Sequence, residues 1–371
     1  MKRILLASAS IVAFAGAAAA EITFSGEATL GYNDTDNMIL GDDPATPLVV
    51  ETTFDTVDDN IGFYWDASID VTMSQALDNG LTAAATFGLN VVDNSLGDSV
   101  SSSDYVLSLT SDTAGLHFGN TEFAAQKHWV SAGDMEADGF SEEDGETVLR
   151  GDITYGGVNA SVSYAVNGSA LEQLSLGADA TFGTISVAFG YQADANPEYA
   201  GAGPDFNGNQ VMGVSVGTTF GGADVRLAYA QEALALGDKS TIAVSVSYPF
   251  GPVTLGASYA MESDTTPGAT PEDFWQVSAD YASGAIAVNA NFDSTEDWEL
   301  TGSYVVGNGL TAYAGVVDAG DDMYVAASMD LGGDATLLVS YVDTGDTSND
   351  DDEIGPNDYQ EGATVELGFK F

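Results

Sequence analysis

From Glu21 onward the chain alternates apolar and polar residues with a period of two, in segments of about ten residues separated by turns. Ile61, Phe63, Trp65, Ala67, Ile69, Val71 and Met73 interleave with Gly62, Tyr64, Asp66, Ser68, Asp70, Thr72 and Ser74. The same alternation runs through Val158–Val166, Ile242–Phe250 and Ile286–Phe292. In an extended strand such residues fall on opposite faces, so each segment presents one apolar and one polar side. About ten residues is the length a tilted strand needs to cross a bilayer. Counting the segments gives about twenty strands, an even number of the kind bacterial barrels use. No helical stretch of comparable length is expected after Glu21, and no segment there approaches the roughly 20 apolar residues of a spanning helix.

The connections sort into two kinds. Asp78-Asn79-Gly80, Gly156-Gly157, Gly183, Gly221-Gly222, Gly251, Ser283-Gly284, Asn308-Gly309 and Gly332-Gly333 are short and suited to hairpins. Asn33–Asn60, Asp93–Ser103, Phe123–Thr147, Asp194–Gly208, Ser263–Glu272 and Thr344–Tyr359 are longer and more acidic. Short turns at one end and long loops at the other are the anatomy of an outer-membrane barrel. Aromatic residues follow the same division: Tyr155, Phe182, Phe220, Phe250 and Tyr281 stand beside the glycine turns, and Tyr164, Tyr191, Tyr229, Tyr259 and Tyr341 at the opposite strand ends. Two such belts mark two membrane interfaces. The last strand, Gly362–Phe371, puts Val365, Leu367, Phe369 and Phe371 on one face. Pairing with the first strand would remove its exposed edge, with Phe369 and Phe371 at the closure.

Mid-strand charges decide what lies inside. Glu27, Asp66, Asp70, Asp152, Asp179, Asp224, Asp280, Glu299 and Glu366, with Arg150 and Arg226, all occupy the polar parity of their strands. A dry core could not hold so many carboxylates, so the interior is expected to be a wet, acidic lumen. The expected fold is all-β, a transmembrane antiparallel barrel spanning 21–371. It is preceded by a cleaved signal peptide over 1–20: Lys2 and Arg3, the apolar run Ile4–Ala15, and the small residues Ala18 and Ala20 before the cut. Loss of that peptide leaves five basic residues against 57 acidic ones, a formal charge of −52. Such a field excludes nucleic acid as a partner and favours cations. There is no cysteine, hence no disulfide framework or thiolate chemistry.

The opening Ile22-Thr23-Phe24-Ser25-Gly26-Glu27-Ala28, the closing Leu367-Gly368-Phe369-Lys370-Phe371, and the run Gly115-Leu116-His117-Phe118-Gly119-Asn120 before a long acidic segment resemble the general-diffusion porins of alphaproteobacteria, the Rhodobacter type. The resemblance implies a homotrimer of sixteen-stranded barrels, each passing small hydrophilic solutes and ions passively, with one loop folded inward to narrow the pore. The matching loop is Phe123–Thr147, with Asp134, Glu136, Asp138, Glu142, Glu143, Asp144, Glu146 and Lys127. In the family such carboxylates face basic residues on the wall. Here only Arg150 and Arg226 are available for that role, so a cation preference is expected in place of a strong transverse field.

Other chemistries find few residues to carry them. His117 and His128 are the only histidines, no nucleophile motif accompanies them, and neither a P-loop nor GxGxxG occurs, so no enzyme is expected. Asp346, Asp350, Asp351, Asp352 and Glu353 crowd one loop with oxygen ligands that suit Ca²⁺, without EF-hand register. No cofactor is required, and acidic loops could hold Ca²⁺ or bridge neighbouring lipopolysaccharide. The expected partners are the bilayer, lipopolysaccharide, two further copies and the barrel-assembly machinery, reached by export through the periplasm to the Gram-negative outer membrane. The alternatives are a substrate-specific outer-membrane channel and a secreted acidic calcium-binding β-protein.

Overall fold

The computed structural model describes residues 20–34, 62–93, 100–141, 146–193, 210–234, 236–344 and 353–371. Alternation becomes strand wherever those residues carry it. In order these are β1 Glu21–Asn33, β2 Gly62–Ala76, β3 Thr82–Asp93, β4 Ser101–Thr110, β5 Ala114–Gly119, β6 Val148–Tyr155, β7 Val158–Asn167, β8 Ala170–Phe182, β9 Ile185–Ala193 and β10 Gln210–Phe220. There follow β11 Ala223–Ala233, β12 Asp238–Phe250, β13 Val253–Asp264, β14 Phe274–Ser283, β15 Ile286–Asp293, β16 Trp298–Gly307, β17 Leu310–Val317, β18 Asp322–Asp330, β19 Ala335–Asp343, the two-residue pair β20 Glu353–Ile354 and β21 Tyr359–Gln360, and β22 Gly362–Lys370. One turn of helix, α1 Ala124–His128, lies between β5 and β6.

Each strand pairs antiparallel with its neighbour, and β22 pairs with both β19 and β1. The sheet of 20 strands therefore closes on itself and has no free edge. At the seam Phe369 stands opposite Ala28, and Phe371 exchanges backbone hydrogen bonds with Gly26 at 2.8 and 3.2 Å. Twenty strands match the segment count and correct the sixteen implied by resemblance. The reason lies in the chain itself, which carries twenty alternating segments each bounded by a turn. More strands make a wider barrel.

The short connections gather at one end, as expected. At Asn308-Gly309 both residues take positive φ, 53° and 83°, as a tight hairpin twisting with its strands requires. The long connections gather at the other end, although that end also has the two-residue turn Gly168-Ser169 between β7 and β8 and four-residue connections at 234–237, 294–297 and 318–321.

Which face points inward follows from what touches it. Residues 123–141 hydrogen-bond to Ser163, Ser175, Gln192 and Thr241, one parity of β7, β8, β9 and β12. Carried through the strand registers, that parity returns to itself around the whole barrel and includes Asp280, Glu299, Glu366, Glu27, Asp66 and Asp70. The opposite parity is apolar and exposed. It holds Phe24, Leu30, Trp65, Leu107, Val162, Leu227, Val244 and Leu300, with Tyr155 83% exposed, and both aromatic sets, of which Tyr164, Tyr191 and Tyr229 are half-buried. Lipid is the only solvent that suits such a band, because in water it would be a continuous aggregation surface.

Candidate functional site

The inward loop starts at Asn120 and is fixed to the wall from its first turn. The Ala124 and Ala125 N–H groups, unpaired within so short a helix, donate to Ser163 Oγ and Ser175 Oγ, each at 2.8 Å. His128 closes the turn, with Nδ1 2.5 Å from Asp179 Oδ1 and Nε2 2.7 Å from Ser161 Oγ. Gly177 is required beneath it, since a side chain there would collide with the Ala124 carbonyl. Further along, Ala132, Met135 and Ala137 are buried against Ala228, Ala230, Ala243 and Ala260 of β11–β13. This patch of small residues is a seat for the loop. Trp129 and Phe140, with ring centroids 5.7 Å apart, pack with Ala125 and Val211. The Ala137 N–H donates to Thr241 Oγ1 at 3.2 Å and the Glu136 N–H to Glu262 Oε1 at 3.3 Å.

This seating sets which loop charges meet the lumen. Asp134 and Glu136 alternate with the buried residues and are exposed. Asp138 is half-buried, accepting from the Trp129 indole N–H at 2.9 Å. Desolvation pushes its carboxyl up to about 6, helped by Asp134 and Glu262 and opposed by the indole and backbone hydrogen bonds. Glu146 is half-buried where the loop returns. Glu142, Glu143 and Asp144 lie outside the described residues.

The expected basic residues do not form one cluster. Arg150 has lumen parity but is only 5% exposed, because the start of the loop covers it. Its guanidinium donates to Asp152 Oδ1 at 3.0 Å and to the Glu122 carbonyl at 2.5 Å. Lys127 Nζ meets the same Asp152 at 2.7 Å, and His117 stands 3.3 Å from it. Asp152 is thus the hub that pins the loop root, and Arg150 serves anchorage. Lys239 lies 3.9 Å from Glu136 and Lys370 lies 3.8 Å from Glu27. Arg226 faces the lumen with Ser215 Oγ as its acceptor at 3.0 Å. Among the other lining residues Asp179 also accepts from Asn159, Asp280 from Asn289, and Glu366 from the Tyr64 hydroxyl at 2.8 Å. Asp66, Asp70, Asp224 and Glu299 line the wall.

A second inward element went unread in the sequence. The β20–β21 hairpin lies on the lumen face of β17–β19, where Tyr359 is 1% exposed against Tyr324, Ala326 and Val342. Its ring sits 5.3 Å from Tyr324 and 6.5 Å from Tyr313. Burial pushes the Tyr359 hydroxyl up to about 12. The signal was there in Tyr313, Val317, Tyr324, Leu338 and Val342, a local apolar patch on the lumen parity. Of the suggested calcium ligands, Asp346, Asp350, Asp351 and Asp352 lie outside the described residues, and Glu353 begins the hairpin. Among the described residues no cluster of three or more His, Asp or Glu could hold a metal ion.

A closed barrel with an apolar outer band, a charged lumen and a loop seated against the lumen wall of β7–β13 defines a class: a transmembrane β-barrel channel. The Gram-negative porin family model matches residues 7–322, and the chain belongs to that family. Two solved structures it is similar to are mutants of the porin of Rhodopseudomonas blastica. Each is 15% identical, with 95% of this chain and 100% of the other covered, at TM-scores of 0.45 and 0.43. No curated protein matches the chain. It is accordingly a porin of the outer membrane, set in the bilayer, and porins are channels and not enzymes.

Proposed function

We propose that this porin is a passive diffusion channel for small hydrophilic solutes that prefers cations and works as a homotrimer. One observation carries the ionic preference. All five basic residues beyond Arg3 lie in the lumen, and four of them sit within ion-pair distance of a carboxylate. The lining therefore keeps a large excess of negative charge, which raises local cation concentration and repels anions. Asp134 and Glu136, exposed on the inward loop, stand where that charge acts at the narrowest passage. Replacing both by Asn and Gln should move the reversal potential under a KCl gradient toward zero. An unmoved potential would take those positions out of the constriction. The trimer is supported by resemblance alone, and chemical cross-linking in detergent should give a three-subunit band.

We also propose that acidic loops bind Ca²⁺, on the acidic composition of the Thr344–Tyr359 connection. Chelator should then change the heat resistance of the folded barrel. Identical melting with and without chelator removes it.

A further inference from the structure

Between the inward loop and the glycine turns the lumen wall forms a recess of about 710 Å³, roofed by Gly133 and floored by β8–β14. Its floor is two adjacent rows of the sheet. Strand register aligns Arg226, Ser245 and Ser258 in one row, and Asp224, Ser247 and Ser278 beside them. Gly217, opposite Arg226 in the same row, leaves the space the guanidinium uses: a Cβ there would fall 3.1 Å from it and 2.6 Å from Ser186 Oγ.

Among the described residues Arg226 is the one Lys or Arg of the lumen without a carboxylate within ion-pair distance. It donates to the neutral Ser215 hydroxyl. Asp224 accepts from the neutral Thr219 hydroxyl at 2.6 Å and has no basic partner among the described residues. The two are two residues apart on one face of β11, so their Cα atoms are separated by roughly 7 Å. Opposite charges this near normally close on each other. Here each is held apart by its own hydroxyl, in a recess lined by five more serines.

The charge pattern selects a class of solute. A simple anion would gain Arg226 but meet Asp224 and the acidic lumen. A simple cation has many carboxylates elsewhere and is repelled by Arg226. A solute bearing both charges satisfies both groups and, having no net charge, is indifferent to the overall field. We propose that this recess is a subsite for small zwitterions of the α-amino-acid class, with Arg226 taking the carboxylate, Asp224 the ammonium, and the serine hydroxyls the remaining polar atoms. The proposal rests on the lumen being an open diffusion path.

The test is block of KCl current through the purified porin in a planar bilayer by L-serine, with glycerate and ethanolamine as carboxylate-only and ammonium-only probes. Serine should lower the current saturably, and the two single-charge probes should need far higher concentrations. Arg226→Gln and Asp224→Asn should each raise the half-blocking serine concentration about tenfold, the scale of one charge-assisted hydrogen bond, while KCl conductance persists. Conductance without saturable serine block, block unchanged in either variant, or glycerate or ethanolamine blocking as well as serine would overturn the subsite and leave the porin reading intact. Absence of any KCl conductance in the wild type would overturn both.

Discussion

Asp138 is the loop carboxylate whose charge changes within an accessible pH range. Burial beside Trp129 penalises its ionised form, and the indole N–H recovers only part of the cost. The groups facing it are Asp134, Glu262 and, further out, Glu136 with Lys239. As pH falls through about 6 the side chain gains a proton and the passage loses one negative charge. Cation selectivity should therefore drop in a step near that pH, read as reversal potential against pH. Asp138→Asn should abolish the step and hold selectivity at the low-pH value throughout. Arg150 teaches the opposite lesson. Its strand parity was legible in the sequence, but whether a loop would cover it was not, because parity assigns a face and says nothing of what packs on that face. Arg150→Gln should leave Asp152 and the Glu122 carbonyl short of a partner. The expected cost is about 2 kcal/mol in the stability of the loop root, seen as increased open-channel noise.

At the scale of elements, resemblance to the family singled out Phe123–Thr147 as the inward loop, yet its docking was not legible. The alanines at 228, 230, 243 and 260 look in sequence like ordinary small strand residues, and only the registered sheet shows them forming one patch. The single turn α1 is too short to leave a periodic signal. Its seat makes a sharp prediction: Gly177→Val should drive a side chain into the Ala124 carbonyl and lift the helix from the wall. Single-channel conductance should rise or become unsteady, with the barrel still folded in detergent. The β20–β21 hairpin is the larger surprise. The described end of the connection after β19, residues 353–360, folds inward because Tyr359 can bury its ring on Tyr324 and Tyr313. Tyr359→Ala should release the hairpin and raise conductance by a smaller amount than Gly177→Val, since the hairpin covers only β17–β19.

For the whole molecule, strict alternation made the barrel legible. Lipid on one side and water on the other impose period two on every crossing, and twenty crossings repeat the signal until strand number itself can be counted. Resemblance carried the family correctly and the strand number wrongly, because motifs at the two ends of a barrel do not record how many hairpins lie between them. What alternation could not supply is the distribution of charge across the lumen. That depends on which of the few basic residues are already satisfied, and pairing is a three-dimensional fact. With Lys127, Arg150, Lys239 and Lys370 so occupied, the lining is an acidic surface around an aqueous path. The most direct measurement is the zero-current potential of the purified wild-type protein in a planar bilayer separating unequal KCl solutions at pH 7.5. The account predicts stepwise conductance and a potential whose sign marks K⁺ as the more permeant ion. A membrane that stays silent, or a potential whose sign marks Cl⁻, would contradict it.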